Sequence, residues 1–392
     1  MKSGWQIKKL ADVCTFDKVQ GVYRDLPYVG LENIESNTAR FIGSGKPQRM
    51  KSSTFRFSNQ HVLYGRLRPY LNKALAPDFE GHCSTEIFPI APRLGLSREY
   101  LLYWFLSNET VNRINATCTG ARMPRADMNE VLDFDFPLAP PIEQQRIVGI
   151  LDKAIEGIAT AKKNTEKNLH NARALYESRL QSIFTRRGPG WVEKPLSELC
   201  DIKHGFAFKS EFFTDSGDYV LLTPGNFYES GGYRDRGEKQ KYCCGEIPDG
   251  FVLSEGDLLV AMTEQAAGLL GSPILIPESS RFLHNQRLGL VTKKPGIPWT
   301  NEFFFHVFNT QAVRQAIHDS ASGVKVSHTS PTKIGEVVVA FPTDLSEQKR
   351  IVSNLASLSG ESQDLASLII RKLAELEALK KSLLHQAFTG EL

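Results

Sequence analysis

The sequence has no long apolar run and no leader-like N-terminus. Its longest apolar stretch, Tyr100–Leu106 ("YLLYWFL"), is far shorter than the roughly 20 residues that a membrane-spanning helix needs. The first ten residues, "MKSGWQIKKL", contain no apolar segment of the kind found in secretory signals. These absences predict a soluble, cytoplasmic protein with no membrane partner.

The motifs that bind common cofactors are also missing. "GSGKP" (Gly43–Pro47) lacks the first glycine and the final Ser/Thr of a phosphate-binding loop, and there is no dinucleotide-binding G-x-G-x-x-G. The Asn/Asp-Pro-Pro-aromatic turn of amino-methyltransferases is absent. Six cysteines include no Cys-x-x-Cys pair, and the histidines lack metal-ligand spacing, which argues against zinc and favours reduced thiols. We therefore expect a non-catalytic chain that binds no cofactor or metal itself.

The net charge of +3 on 392 residues is too small to indicate a polyanionic partner by itself, so any nucleic-acid role must rest on local basic clusters. The length predicts two to four domains of about 100–200 residues each.

One ten-residue stretch occurs twice in nearly the same form. "EQQRIVGILD" (Glu143–Asp152) and "EQKRIVSNLA" (Glu347–Ala356) lie 204 positions apart, and "FT" follows each at the same offset. Upstream, the offset falls steadily to 203, 196, 193 and 186 at "TGAR"/"SGVK", "HVLYGRL"/"DLLVAMT", "GLEN"/"TPGN" and the shared Trp, Leu and Cys near each start. The ordered offsets indicate a tandem duplication. The predicted parts are globular domains at 1–137 and 188–341, each followed by a helical spacer at 138–187 and 342–392.

Each spacer is predicted to be one long helix, the first spanning 141–184, because apolar residues recur every three or four positions after a proline. The first stripe contains Ile147, Leu151, Ala154, Ile158, Ala161, Ala172 and Leu175. The second contains Ile351, Leu355, Leu358, Leu365, Ile369, Leu376, Leu379 and Leu383. Equal length without insertions favours antiparallel pairing within the chain, although a seam for self-association has the same periodicity. We assign helix pairing and partner docking to Glu143, Gln144, Ile147, Leu151, Glu347, Gln348, Ile351 and Leu355.

The two globular parts are predicted to be β-rich, because short β-branched and aromatic runs alternate with turn residues. One helix is expected in each, at Glu99–Ser107 and Asn301–Ala316. The fold class is therefore α/β (α+β): two globular β-rich domains joined by two long antiparallel coiled-coil helices, in a pseudo-twofold tandem repeat.

Basic, amide and aromatic side chains concentrate in the loops of these domains. Such residues neutralise phosphates and make bidentate contacts to base edges, although a solvated basic loop has the same composition. The DNA-binding candidates in the first domain are Tyr64, Arg66, Arg68, Tyr70, Lys73, Arg122 and Arg125. Those in the second are Lys209, Thr263, Gln265, Asn285, Gln286, Arg287 and Lys325.

Together these features resemble the specificity subunit of type I restriction–modification systems. The resemblance covers the whole chain and rests on two divergent domains, each followed by an "EQ-x-R-I-V" entry to a long helix, and on "GFAFKS", "YGRLRPYLNK" and the terminal "FTGEL". The second copy departs from the pattern, since "FPTDLSEQ" lacks the Pro-Pro of "FPLAPPIEQ".

The resemblance implies that each globular part is a target recognition domain for one half of a bipartite, asymmetric site in double-stranded DNA. It implies that the paired helices set the gap between the halves and that two methyltransferase subunits dock on the scaffold, with two restriction subunits in the nuclease form. S-adenosylmethionine, ATP and Mg²⁺ would belong to those partners. The alternatives are a coiled-coil adaptor with two binding modules, and a self-contained methyltransferase or nuclease, which the missing motifs disfavour.

Overall fold

The chain forms two compact units. The computed structural model describes residues 4–93, 95–264, 268–323 and 326–392. Unit 1 is the chain up to Asn168 together with Ile369–Leu392, and unit 2 is Leu169–Leu368. Each unit thus contains one globular domain and one half of each of two long helices.

Within residues 4–93 and 95–140, the globular part of unit 1 has three small sheets and four short helices that lead into the first long helix. Its strands are β1 (Gln6–Lys9), β2 (Cys14–Phe16), β3 (Gln20–Gly21), β4 (Tyr28–Val29), β5 (Thr54–Phe57), β6 (Val62–Gly65), β7 (Ala74–Leu75), β8 (Gly81–Cys83), β9 (Ile87–Pro92) and β10 (Asp135–Leu138). Its helices are α1 (Leu10–Val13), α2 (Arg98–Leu106), α3 (Asn108–Ala116), α4 (Met128–Leu132) and α5 (Pro141–Arg186). The sheet orders are β1-β10, β2-β9-β6-β7 and β3-β5-β8-β4.

Unit 2 repeats this plan with one additional strand pair. Its strands are β11 (Trp191–Pro195), β12 (Cys200–His204), β13 (Phe213–Thr214), β14 (Val220–Leu221), β15 (Tyr242–Cys243), β16 (Leu258–Ala261), β17 (Thr263–Glu264), β18 (Pro273–Leu275), β19 (Phe282–Leu283), β20 (Leu288–Lys293), β21 (Ser327–His328) and β22 (Val338–Pro342). Its helices are α6 (Leu196–Leu199), α7 (Asn301–Phe308), α8 (Gln311–Asp319), α9 (Pro331–Gly335) and α10 (Leu345–Thr389). The sheet orders are β11-β22, β12-β20-β16-β18, β13-β15-β14-β19 and β17-β21.

The tandem repeat is confirmed down to single side-chain contacts. The thiols of Cys14 and Cys200 each donate to the carbonyl four residues earlier, at 3.3 and 3.4 Å. The side-chain oxygens of Asn33 and Asn226 each accept from the backbone N–H three residues earlier, at 2.8 and 3.0 Å. These contacts occur at the same two points of the fold, as the offsets of 186 and 193 predict.

The prediction of one helix per globular domain is wrong, because the described residues of each domain form four short helices, and the predicted one begins with the first of two in tandem. The stretch predicted as a single helix at Asn301–Ala316 breaks at Thr310, whose extended backbone and hydroxyl cap the start of α8. Ser107 does the same between α2 and α3. Ser and Thr favour this position because the hydroxyl accepts from an unpaired N–H of the first helical turn.

The two long helices run antiparallel within each unit, as predicted. In unit 1 the Lys162 ammonium lies 2.5 Å from the Glu377 carboxylate, and Ile147 and Leu151 share a buried cluster with Leu384 of α10. In unit 2 the Ser362 hydroxyl donates to the Ala172 carbonyl at 2.6 Å, and Leu180, Ile351 and Leu355 share a second buried cluster.

The predicted apolar stripe is wrong at three positions. Leu175, Leu365 and Leu379 are 49%, 45% and 48% exposed, whereas Leu180, which the stripe omitted, is fully buried. The polar side chain of Thr165 is buried in the middle of α5 and donates to the carbonyl four residues earlier. The stripe of α5 keeps its register past Thr165, since Ala172 is also buried, and leaves the seam only at Leu175.

A buried histidine links α5 to the globular part of unit 2. The Tyr176 hydroxyl lies 3.0 Å from the His306 Nδ1, and burial lowers the pKa of His306 to about 4. Since the neutral form is favoured by the fold, the histidine's contribution to stability is complete above pH 6.5 and is lost as the pH falls toward 4.

We therefore expect His306→Gln to reduce the acid-induced loss of unfolding free energy between pH 7 and pH 4 by about 3 kcal/mol, since each pKa unit corresponds to about 1.4 kcal/mol. Urea unfolding of unit 2 at the two pH values measures this difference. The control is His170→Gln, at an exposed position of the same unit. Equal acid sensitivity of the two variants would contradict the assignment.

Candidate nucleic-acid interface

Three backbone segments of unit 1 meet where β6 ends and β9 begins. The Arg66 N–H donates to the Glu86 carbonyl at 2.9 Å, and the Arg66 carbonyl accepts from the Ala126 N–H at 2.9 Å. The Arg68 N–H donates to the Pro124 carbonyl at 2.8 Å. This frame gathers side chains from three distant stretches of sequence. We define face 1 as Arg66, Arg68, Glu86, Arg122 and Arg125.

One carboxylate organises the charges of face 1. The Glu86 side chain accepts from Arg66 Nε at 3.1 Å and from Arg125 Nε at 2.9 Å. Arg68 is exposed and has a left-handed backbone with φ 51°, and Arg122 is also exposed. Tyr70, 52% exposed, follows Arg68 on the short 3-10 helix Pro69–Leu71. Face 1 therefore presents several cations around one acid.

Two predicted DNA-binding residues of the first domain are structural instead. Tyr64 is fully buried, and its ring stacks on Phe105 at 4.7 Å between centroids. The Lys73 ammonium donates to the carbonyls of Leu31 and Ile34, at 2.6 and 2.8 Å, and so holds the neighbouring 3-10 turn. The prediction was wrong for both, because all four residues of β6 are buried and the lysine's partners lie far away in sequence.

Unit 2 repeats the backbone frame of face 1. The Met262 N–H donates to the Arg287 carbonyl at 3.0 Å, and the Met262 carbonyl accepts from the Thr329 N–H at 3.0 Å. In addition, Thr263 pairs with His328 across β17 and β21. We define face 2 as Thr263, Gln286, Arg287 and His328, together with the nearby basic residues His204, Arg236 and Lys241.

Face 2 borders two adjoining clefts of about 470 and 520 Å³. His204 lines the first, Arg236 and Lys241 line the second, and Thr263, Arg287 and His328 line both. Sequence analysis missed Arg236, Lys241 and His204. The charged stretch "RDRGEKQK" was the available signal, but it has no strand pattern that would fix its place in the fold.

The remaining predicted DNA-binding residues of the second domain lie in different surroundings, and only one of those that the structure describes borders a cleft. Asn285 is buried, and its side-chain oxygen accepts from the Arg287 N–H at 3.1 Å, so it shapes the turn and was wrongly predicted to contact DNA. Gln286 is exposed beside the first cleft. Lys209 is exposed 3.8 Å from Glu211 and is not among the residues lining either cleft. Gln265 and Lys325 lie outside the described residues.

The two faces share a backbone frame but differ in side chains. At the position equivalent to Arg66, unit 2 has Met262, whose side chain is buried. Arg287 of face 2 occupies the position of Glu86, because both carbonyls accept from the residue that follows the equivalent strand. His328 occupies the position of Arg125, since each pairs with the equivalent residue after that strand. The same site is thus built twice with different chemistry.

The first turns of α5 and α10 carry the same ion pair, in which the arginine is exposed and the glutamate is half-buried. Arg146 donates to Glu143 at 2.7 and 2.8 Å, and Arg350 donates to Glu347 at 2.8 and 2.7 Å. The hydrogen bond from Arg350 lowers the pKa of the Glu347 carboxyl below its usual range. Ion pairs this exposed contribute little to stability, so a role in partner docking stays a prediction for these turns.

Gln144 and Gln348 instead hold each long helix to its own globular domain. The Gln144 amide donates to the carbonyls of Gly95 and Ala139, at 2.7 and 2.8 Å, and accepts from the Ser97 N–H at 2.8 Å. Gln348 makes the three equivalent bonds in unit 2. Both glutamines are at most 1% exposed, so the interpretation of these two residues as docking residues was wrong.

We expect Gln144→Leu to lower the unfolding free energy of unit 1 by about 2 kcal/mol, because three backbone groups lose their side-chain partner and one of them, the Ala139 carbonyl, is buried. The exposed neighbour Gln145 supplies the control, Gln145→Leu, which keeps the same change in polarity. Denaturant unfolding compares the two. A similar unfolding midpoint for both variants would show that the three hydrogen bonds of Gln144 do not stabilise unit 1.

Within the described ranges, no group of three or more His, Cys, Asp or Glu residues could hold a metal ion. Among the helices of those same ranges, none is both long enough and apolar enough to cross a membrane.

Comparison with known proteins gives one consistent family. A family model described as "Type I restriction modification DNA specificity domain" matches residues 2–169 and 189–375. The chain is 24% identical to the type I restriction enzyme EcoDI specificity subunit of Escherichia coli over 186 residues, which make up 47% of this chain and 40% of that protein. It is 25% identical to the EcoBI specificity subunit of the same organism over 236 residues, 60% of this chain and 44% of that protein. The chain thus spans about two fifths of the length of these curated relatives.

Two solved structures share the fold over the whole chain. One, described as "Structural basis underlying complex assembly and conformational transition of the type I R-M system", has a TM-score of 0.81 and 20% identity, and the match covers 100% of this chain and 99% of that one. The HsdS subunit from Thermoanaerobacter tengcongensis has a TM-score of 0.64 and 20% identity, with 100% and 98% covered. The predicted architecture of two β-rich domains with two long helices is confirmed.

Proposed function

The chain belongs to the family of type I restriction–modification DNA specificity proteins, and on that premise we propose that it is the non-catalytic subunit that recognises a bipartite site in double-stranded DNA. Face 1 binds one half of the site and face 2 binds the other. The paired helices α5 and α10 set the gap between the halves. Its place of action is the cytoplasm, where the DNA and the partner subunits are.

The observation that carries this proposal is the duplicated frame with different side chains. Met262 and Arg66 make equivalent backbone bonds, yet the side chains around them differ in charge and in hydrogen-bonding groups. Two sites of equal geometry and unequal chemistry fit two half-sites of unequal sequence, since base edges are distinguished by donors, acceptors and methyl groups. Binding to DNA of any sequence requires only contacts to phosphates, so it does not require the side chains of the two faces to differ.

The partners follow from the repeated surfaces and from the family. The pairs Glu143–Arg146 and Glu347–Arg350 repeat one salt bridge at the start of each long helix, which fits two copies of one methyltransferase subunit. Two restriction subunits complete the nuclease form. In this proposal S-adenosylmethionine, ATP and Mg²⁺ are held by those partners and none by this chain.

The test is sequence preference in the presence of the partner. The chain is co-purified with the methyltransferase subunit of the same system, and its affinity for a DNA library is measured at several salt concentrations. We expect one bipartite sequence to be enriched at least 10³-fold over random DNA. Enrichment of no sequence at any salt concentration, or methylation of DNA by the chain alone, would overturn the proposal.

A further inference from the structure

Two arginines of face 1 share one carboxylate through the same donor atom. Arg66 donates to Glu86 from Nε at 3.1 Å, and Arg125 donates from Nε at 2.9 and 3.2 Å. In the part of the chain that the structure describes, no protein group is bonded to the terminal Nη atoms of either arginine. A guanidinium has five N–H donors in a rigid fork, so a bond at Nε fixes its plane and leaves the outer Nη pair for another acceptor.

The backbone of Glu86 is fixed in the frame of the fold on both sides of its side chain. The Glu86 N–H donates to the Ser84 hydroxyl at 3.2 Å, and the Glu86 carbonyl accepts from the Arg66 N–H. The Arg66 guanidinium also lies 5.4 Å from the centre of the Phe88 ring. Arginine side chains held in this way lose little conformational freedom on binding, which raises the affinity that their remaining donors can give.

We propose that Glu86 is a positioning residue that presents Arg66 and Arg125 to guanine, so that the half-site bound by unit 1 contains a guanine on one of its strands. This inference rests on the proposed function. The outer edge of an arginine matches the O6 and N7 acceptors that guanine displays in the major groove. Arg287 takes the place of Glu86 in face 2, so this arrangement is not repeated at the equivalent position of unit 2.

The substitution Glu86→Gln separates two roles of this residue. If Glu86 only repels DNA, the variant's affinity for the recognised site rises, and if it positions the arginines, that affinity falls. Glu86→Gln removes a negative charge from a DNA-binding surface, which by itself strengthens binding to any sequence. If Glu86 positions the arginines, the same change weakens binding to the recognised site by about tenfold. Affinity for random-sequence DNA then stays the same or rises.

The guanine is identified by atom replacement in the DNA. The complex with the methyltransferase partner is titrated with the recognised site, in which each guanine of the half assigned to unit 1 is replaced in turn by 7-deazaguanine, which lacks N7. We expect one replacement to weaken wild-type binding about tenfold. The same replacement should weaken the Glu86→Gln complex less than threefold.

Asp135→Asn is the matched control. It also removes a carboxylate paired with a cation in unit 1, since Asp135 accepts from Lys9 Nζ at 2.7 Å, but it lies on the strand that leads into α5. We expect this variant to keep the wild-type response to 7-deazaguanine. Unfolding midpoints of both variants, measured in parallel, establish that the proteins compared are folded.

Three outcomes would overturn the inference. A unit 1 half-site without guanine on either strand is one, and cognate binding by Glu86→Gln that is as tight as the wild type is the second. An equal 7-deazaguanine penalty in both proteins is the third. Each leaves the proposed function in place if the complex still prefers one bipartite sequence, whereas loss of all sequence preference in the wild-type complex removes both.

Discussion

Inserting one helical turn into both long helices is expected to move the protein to a new DNA site with the same halves and a longer gap. About four residues placed after Asn168 in α5 and about four after Leu368 in α10 add roughly 6 Å of helix, or about two base pairs of DNA. Each insertion falls at the division between the two units. The Lys162–Glu377 pair of unit 1 and the Ser362–Ala172 bond of unit 2 are therefore both kept.

The measurement is methylation by the complex on a set of DNAs that differ only in gap length. We expect activity on the original gap to fall at least 100-fold and to reappear on the gap that is about two base pairs longer. Insertion into α5 alone is the control, since α10 then has no matching turn and neither gap should be methylated efficiently. An unchanged preferred gap would show that the helices do not set it.

Leu355→Asp is expected to have the largest effect on stability. Leu355 is fully buried, in the cluster that joins α10 to Leu180 of α5 in unit 2. The substitution removes apolar contacts and buries a charge without a partner, which together lower the unfolding free energy by about 4 kcal/mol or more. The expected loss is a large part of the total stability of a typical domain.

Leu368→Asp is the control because it makes the same chemical change on the same helix at a residue that is 58% exposed. We expect it to change the unfolding free energy by less than about 0.5 kcal/mol, as most exposed substitutions do. Denaturant unfolding followed by circular dichroism compares the two. Comparable losses for both variants would contradict the assignment of Leu355 to the helix seam.

The architecture was predictable from the sequence because a duplication leaves similar stretches at ordered offsets in the two halves of the chain. The 196-residue offset placed "HVLYGRL" opposite "DLLVAMT", and the structure has β6 and β16 at those positions. Gln144 and Gln348 repeat for a reason that the sequence does not show, since their hydrogen-bond partners are backbone groups brought close only by folding. The repeat of these glutamines predicted a shared role, and the structure shows that the role is to hold each long helix to its own globular domain.

The DNA-binding residues were harder to predict because the useful signal lies in distant contacts. Tyr64 and Arg66 are two positions apart, yet one packs in the core and the other pairs with Glu86. Arg236 and Lys241 lie in a loop whose position depends on the β13-β15-β14-β19 sheet. Local composition can mark such stretches as basic and polar, but only the fold decides which of their side chains share a face.

Exchange of residues 188–341 for the corresponding domain of a relative tests the central claim most directly. The chimaera is produced with its methyltransferase partner, and the methylated sites are mapped across a genome and compared with those of the parent. We predict that one half of the bipartite site changes while the other half and the gap length stay the same. A change in both halves, or in neither, would contradict the account that each unit recognises one half-site.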